Sequence, residues 1–167
     1  LTENDVAVVI SASGNPKYLS GVLAKAEERN TKTIAVTCNS KGKIAEDAGL
    51  VICVEVGPEV IAGSSRLKAG TAQKMVLNML STGSMIKIGK TYENFMIDLK
   101  ATNEKLKDRA IKIVAQIAEA TCSDALAMLM KSNWEIKTSI IALALDVDIE
   151  KARTILKKNN GILRKII

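Results

Sequence analysis

Three short, nearly continuous apolar runs, Val6 to Ile10, Thr33 to Cys38 and Leu50 to Val56, alternate with stretches of helical periodicity. No other feature restricts the fold as much. Such runs are shorter than helices and lack the alternation of a half-wet sheet, so they read as parallel strands covered on both faces. Between the first two lies Pro16 to Asn30, where Leu19, Val22, Leu23 and Ala26 form one stripe with Lys25, Glu28 and Arg29 off it. Pro16 suits a first helical turn, where its missing N–H is not needed. Lys41 to Ala48 is expected to be a shorter crossover helix, and Ser64 to Lys87 a long one. Strand and helix in this alternation describe a doubly wound α/β sheet.

Beyond about residue 100 only helical patterns remain. Leu99 to Ala120 is one long periodic segment; Ser123-Asp124 offers a cap before Ala125 to Lys131, and helices around Ile136 to Leu145 and Ile149 to Lys158 follow. Asn160-Gly161 reads as a helix stop. Charge changes at the same place. Residues 1 to 99 carry 11 Lys/Arg against 10 Asp/Glu, and residues 100 to 167 carry 13 against 8. The expected fold is therefore α/β, a parallel sheet with flanking helices, followed by a small C-terminal helical bundle. The expected domains are residues 1–101 and 102–167, the latter containing a small three-helix bundle. A parallel sheet starting at Val6 leaves an unpaired apolar edge, so residues 1–99 are expected either to self-associate or to expose that edge to aggregation.

Composition removes whole classes of chemistry. The 167 residues include no histidine, which excludes His-based acid–base catalysis, Ser-His-Asp triads and His-containing metal sites. The four aromatics, Tyr18, Tyr92, Phe95 and Trp134, are too few and too scattered for a base-stacking platform. Cys38, Cys53 and Cys122 are odd in number and widely spaced, which fits reduced thiols in a cytoplasmic protein. No apolar stretch approaches the roughly 20 residues of a membrane span. No membrane, metal or cofactor is implied. The chain begins at Leu1 without an initiator Met, almost directly before a strand, which suggests a fragment or excised domain.

Two constellations point to an anion. Ser11-Ala12-Ser13-Gly14-Asn15 falls between the end of the first strand and a helix start, at the edge where open α/β sheets bind ligands. Hydroxyls, a glycine that allows close backbone approach and free helix N–H groups all favour phosphate. Taken alone, Ser-x-Ser-Gly reads somewhat more readily as an ordinary strand-to-helix turn. The second constellation runs from Gly57-Pro58-Glu59 through Gly63-Ser64-Ser65-Arg66-Leu67-Lys68 to Gly70-Thr71 and Lys74, with Lys68, Thr71 and Lys74 spaced to share a face. A plain cap at Ser64-Ser65 and a solvated basic face at Arg66 and Lys68 are the simpler readings.

Residues 57 to 105, with Gly-Ser-Ser-Arg-Leu-Lys-Ala-Gly-Thr-Ala-Gln-Lys, then Asn78-Met79-Leu80-Ser81-Thr82-Gly83, then Ala101-Thr102-Asn103-Glu104-Lys105, resemble the N-acetylmuramic acid 6-phosphate etherase family, which is related to the glucokinase regulatory protein. Ser11 to Gly14 resembles the phosphosugar turn of the sugar isomerase domain, and Thr37-Cys38-Asn39 its next strand end. The resemblance implies a cytoplasmic carbon–oxygen lyase that removes D-lactate from a phosphorylated amino sugar in cell-wall recycling. It also implies a homodimer with a helical C-terminal domain. By this reading Ser11, Ser13, Gly14, Asn15, Glu59, Ser64, Ser65 and Lys74 bind substrate.

Two departures stand out. Where the family has Ser-Gly-Arg-Thr-Pro-Tyr, this chain has Ser13-Gly14-Asn15-Pro16-Lys17-Tyr18. No residue matches the family's acid–base glutamates, which the resemblance places upstream of Leu1, so the chain alone is expected to be catalytically incomplete. Ether elimination next to a carbonyl needs a base and an acid, usually carboxyls. Glu59 is the one candidate at a strand end, and charge compensation of Arg66 or Lys68 explains it equally well. The alternative function is a non-catalytic module that senses sugar phosphates. The 13 cations after residue 99 are interleaved with eight acids, which favours a solvated surface over a nucleic-acid interface.

Overall fold

A computed structural model describes residues Leu1–Ile167. β1 (Val6–Ser11), β2 (Lys32–Thr37) and β3 (Leu50–Cys53) form a parallel sheet in the order β1-β2-β3, connected by α1 (Lys17–Glu28) and α2 (Lys43–Asp47). The register pairs Val9 with Ala35 and Thr37 with Cys53. Val9 and Ala35 bury their side chains against Leu19 and Leu23 of α1 and Ile44 of α2, forming the core of this part. At roughly 25 cal/mol per Å² of apolar surface removed from water, such contacts drive the helices onto the sheet.

α1 and α2 pack on one face of the sheet, and the second face is only partly covered. On the second face Val36 of the central strand is buried. Val6, Val8 and Ile10 of the edge strand remain 51%, 42% and 37% exposed. The continuous apolar runs reported how apolar both faces are, and periodicity alone carries no information about which face finds a partner. β3 ends at Cys53, where the Val54 amide makes the last ladder bond, to the Thr37 carbonyl (2.9 Å).

α3 (Lys68–Lys87) starts four residues later than its expected beginning at Ser64. Residues 64–67 are a turn, in which the Ser64 carbonyl accepts from the Leu67 amide (3.2 Å) and the Ser65 carbonyl from the Gly70 amide (2.9 Å). Two compact units result, Leu1–Ser81 and Thr82–Ile167.

The second unit opens with an antiparallel hairpin that the sequence reading did not contain, β4 (Thr91–Tyr92) and β5 (Phe95–Met96), turning at Glu93 with φ +49°. Then come α4 (Glu104–Ile117), α5 (Cys122–Lys131), α6 (Ile136–Ala144) and α7 (Ile149–Lys158), with a short 3-10 turn at Leu163–Lys165. One core unites them. Ile97 after the hairpin, Ile113 and Val114 of α4, Leu129 of α5, Ile140 and Ile141 of α6, and Leu163 pack together. α4 therefore belongs to the same core as the last three helices.

Side chains set the helix starts: Asn103 Oδ1 accepts the Leu106 amide (2.9 Å), and Asp148 Oδ1 the Lys151 amide (2.8 Å). The cap of α5 is Thr121, whose hydroxyl accepts the Asp124 amide (3.1 Å); Ser123 and Asp124, expected as the cap, lie inside the first turn. Several C-terminal cations are held within this unit. Lys137 binds Asp98 and the Gly161 carbonyl, Arg164 pairs with Glu93, and Lys107 lies over the Trp134 ring. No single helix is long and apolar enough to cross a membrane.

Candidate functional site

Chain direction places the ends of all three strands at one sheet edge, and the loop after β1 is the most organised feature there. Ser11 Oγ accepts the Gly14 amide (3.1 Å), folding residues 11–14 into a tight turn, and the Ser11 and Ser13 hydroxyls lie 3.5 Å apart. Gly14 has φ +74°, a left-handed conformation that side-chain-bearing residues adopt at a cost. The turn is bound to the loop after β2 through its acceptors. The Ala12 carbonyl accepts the Cys38 amide (3.1 Å), the Ser13 carbonyl accepts Asn39 Nδ2 (3.0 Å), and the Gly14 carbonyl accepts the Ile44 amide (3.0 Å). Asn15 is exposed, with its side-chain oxygen committed. Its Oδ1 accepts the Lys43 amide (3.1 Å) at the start of α2.

With these acceptors engaged, the turn has donors left over. The amides of Ser13 and Asn15 bond to no protein atom, and the two serine hydroxyls stand beside them. Free N–H and O–H groups on a turn whose Ala12, Ser13 and Gly14 carbonyls are engaged are the kind of donors an anion accepts from.

Glu59 stands at the start of α3. Its Oε1 accepts the Ala69 amide (3.0 Å) and its Oε2 the Lys68 amide (3.1 Å), so the carboxylate caps the helix. The Ala69 amide is the leading influence holding this carboxyl below the usual glutamate range, with the Lys68 amide and charge adding to it against a partial desolvation cost. Neither Arg66 nor Lys68 forms an ion pair with it. Burial is the main cause that pushes the Cys38 thiol up, and the ends of β2 and β3 lie side by side through the Thr37–Cys53 pair. Ser64 and Ser65 lie in the turn before α3, and Lys74 is exposed on the helix. Thr71 spends its hydroxyl on the Leu67 carbonyl (3.0 Å).

The structure thus brings Ser11, Ser13 and Gly14 into one turn, and it pairs Asn15 Oδ1 and both Glu59 oxygens with backbone amides. Residues 37–44 contribute Asn39, which the sequence places in the strand end Thr37-Cys38-Asn39, and Gly42, which lies in no sequence motif. Ser40 donates to Glu55 Oε1 (2.6 Å) in the same region. The signal was present in part, since an Asn and a Gly after a strand mark a structured turn. A groove of about 550 Å³ lies at the opposite end of the strands, lined by Val6, Lys32, Ile34 and Leu50. Ligands of open α/β sheets bind at the carboxyl ends, so this groove is not part of the site.

Residues 1–83 match the SIS domain, and residues 93–158 match the C-terminal lid domain of glucokinase regulatory protein. Relatives named N-acetylmuramic acid 6-phosphate etherase align over nearly the whole chain. The protein of Vibrio atlanticus (strain LGP32) is 48% identical over 166 residues, covering 99% of this chain and 54% of that protein. That of Bacillus subtilis (strain 168) is 45% identical over 167 residues, covering 100% and 55%. That of Clostridium botulinum (strain Okra / Type B1) is 48% identical over 165 residues, covering 99% and 55%. The chain spans about half the length of these relatives.

Proposed function

This chain belongs to the N-acetylmuramic acid 6-phosphate etherase family, and from that premise we propose that it is the phosphosugar-binding portion of a carbon–oxygen lyase. The lyase cleaves the D-lactyl ether of N-acetylmuramic acid 6-phosphate to give N-acetylglucosamine 6-phosphate and D-lactate. The observation that carries this reading is the donor-only turn after β1. The Ser11 and Ser13 hydroxyls and the Ser13 and Asn15 amides receive the phosphate, and Gly14 lets the backbone approach it.

Ser64, Ser65 and Lys74 complete the pocket from the start of α3, where Lys74 contributes charge. Glu59 orients that helix start. Both its oxygens are engaged and it is held ionised, so it is poorly suited to donate a proton. The acid and base of the elimination therefore come from residues other than Glu59, in keeping with family glutamates that precede the matched segment. A homodimer working in the cytoplasm is part of the same proposal.

The match of residues 93–158 to the lid domain of a regulatory protein supports a second reading, a module that binds a sugar phosphate without turning it over. Lactate release from N-acetylmuramic acid 6-phosphate separates the two. The assay compares this chain with a form extended at its N-terminus by the corresponding residues of the Bacillus subtilis relative, alongside calorimetric binding of the phosphosugar. Lactate release by the extended form supports the lyase. Binding without release in either form supports the sensor, and no binding in either form overturns both.

A further inference from the structure

Gly14 and Gly42 meet backbone to backbone. A Cβ built on Gly14 falls 2.9 Å from the Gly42 Cα, and one built on Gly42 falls 2.8 Å from the Gly14 Cα and 3.0 Å from the Ser13 carbonyl oxygen. The obstructing atoms are main chain, so no side-chain rotation relieves the clash. Gly42 itself has φ −74° and ψ 147°, which any residue adopts, so its need for glycine comes from this contact alone. Around the contact, residues 38–44 take up the Ala12, Ser13 and Gly14 carbonyls and the Asn15 side-chain oxygen.

We propose that Asn39 and Gly42 are positioning residues that set the anion selectivity of the Ser11–Gly14 turn, by drawing its carbonyls inward and leaving only donors for the ligand. The inference rests on the phosphosugar reading above and adds to it the loop that makes the turn selective. Asn39 is the pivotal side chain, because its Nδ2 holds the Ser13 carbonyl (3.0 Å) and its Oδ1 accepts the Lys41 amide (3.1 Å). If that carbonyl turns outward, it sets a partial negative charge against the phosphate. Gly42 keeps the two loops close enough for the exchange.

The test titrates the full chain with inorganic phosphate by calorimetry, and repeats it with N-acetylglucosamine as an uncharged probe. Variants are Gly42→Ala, Asn39→Ala, Asn39→Asp and Ser13→Ala, with melting temperatures measured in parallel. Gly42→Ala and Asn39→Ala are each expected to weaken phosphate binding by about tenfold, the size of one lost hydrogen bond to a charged group. Asn39→Asp is expected to weaken it further, because a carboxylate beside the turn repels the anion. Binding of the uncharged sugar should change less in every case.

Phosphate binding within twofold of wild type in both Gly42→Ala and Asn39→Ala, with Ser13→Ala still weakened, overturns the positioning role and leaves the phosphosugar reading standing. Equal losses in Asn39→Ala and Asn39→Asp that follow the melting temperature also overturn it, since Asn39 is then merely structural. If Gly42→Ala does not fold, the Asn39 pair decides. Absence of phosphate binding by the wild-type chain, with no binding of a sugar phosphate, defeats the reading itself and this inference with it.

Discussion

Glu59 caps α3 by accepting the Ala69 amide on Oε1 at 3.0 Å, while its second oxygen takes the Lys68 amide. The interaction commits both oxygens of a surface carboxylate to the start of a helix. It also has a pH signature. The folded pKa lies below the unfolded one, so the stabilisation is complete above the unfolded value and is lost as pH falls through the folded value.

Glu59 is expected to titrate by NMR below the usual glutamate value of about 4.3. Glu59→Gln should raise amide exchange at Lys68 and Ala69 at neutral pH, and the difference from wild type should vanish in acid. A titration midpoint at or above the usual value contradicts the cap.

Arg153 grips Glu135 through two bonds, Nε to Oε2 and Nη2 to Oε1, both 3.0 Å, and Thr138 adds a third at 2.8 Å. The Arg153 bonds are the main reason the Glu135 carboxyl sits below its usual range. Both side chains are well exposed, so a double-mutant cycle of Arg153→Met and Glu135→Gln is expected to give a coupling of only about 0.5–1 kcal/mol. The coupling should be lost only as pH falls through the folded-state value of Glu135, which lies below the usual glutamate range.

The three thiols differ in access. Cys122 is exposed at the start of α5, whereas Cys38 and Cys53 are half-buried and burial pushes both upward. Under native conditions near pH 8, iodoacetamide followed by peptide mass analysis should modify Cys122 first. Comparable rates at all three would mean that the sheet edge opens readily.

The edge strand β1 exposes Val6, Val8 and Ile10 together with an unpaired backbone edge. Light scattering is expected to show concentration-dependent association of this chain. Val8→Lys should reduce it and leave the melting temperature nearly unchanged, a surface change of less than about 0.5 kcal/mol. A wild-type chain that stays monomeric at high concentration refutes this expectation.

Leu129 has no exposed surface and lies among Ile113, Ile140 and Leu163 in the second core. Leu129→Ala is expected to cost about 2–5 kcal/mol in thermal or urea unfolding, through lost burial and the cavity left behind. A loss under 1 kcal/mol would show that the core collapses to fill the space.

The strand and helix order of residues 6–53 and the helical run after residue 103 were legible from local pattern, because apolar periodicity records which positions need burial. Boundaries were less so. α4 starts at Glu104 because Asn103 caps it, and α5 at Cys122 because Thr121 does; competing polar residues nearby made the choice among caps invisible in sequence. The hairpin at Thr91–Met96 was missed because two-residue strands have no measurable period, and burial of Ile97 against the helices holds that segment.

The candidate site divides along the same line. The order of residues determined that a serine- and glycine-containing turn follows a buried strand, and the residue types determined that it offers donors and no imidazole. Family membership was readable from the long motif around Ser64 to Lys74. Tertiary structure decided which of those groups remain available. Asn15 and Glu59 look like ligands in the sequence, yet their oxygens are taken by the amides of Lys43, Lys68 and Ala69. Asn39 and Gly42 look like loop residues, yet they hold the turn in shape from 25 or more positions away. Hydrogen-bond partners of a loop are set by where parallel strands place their ends, and that distance in space leaves no trace in sequence spacing.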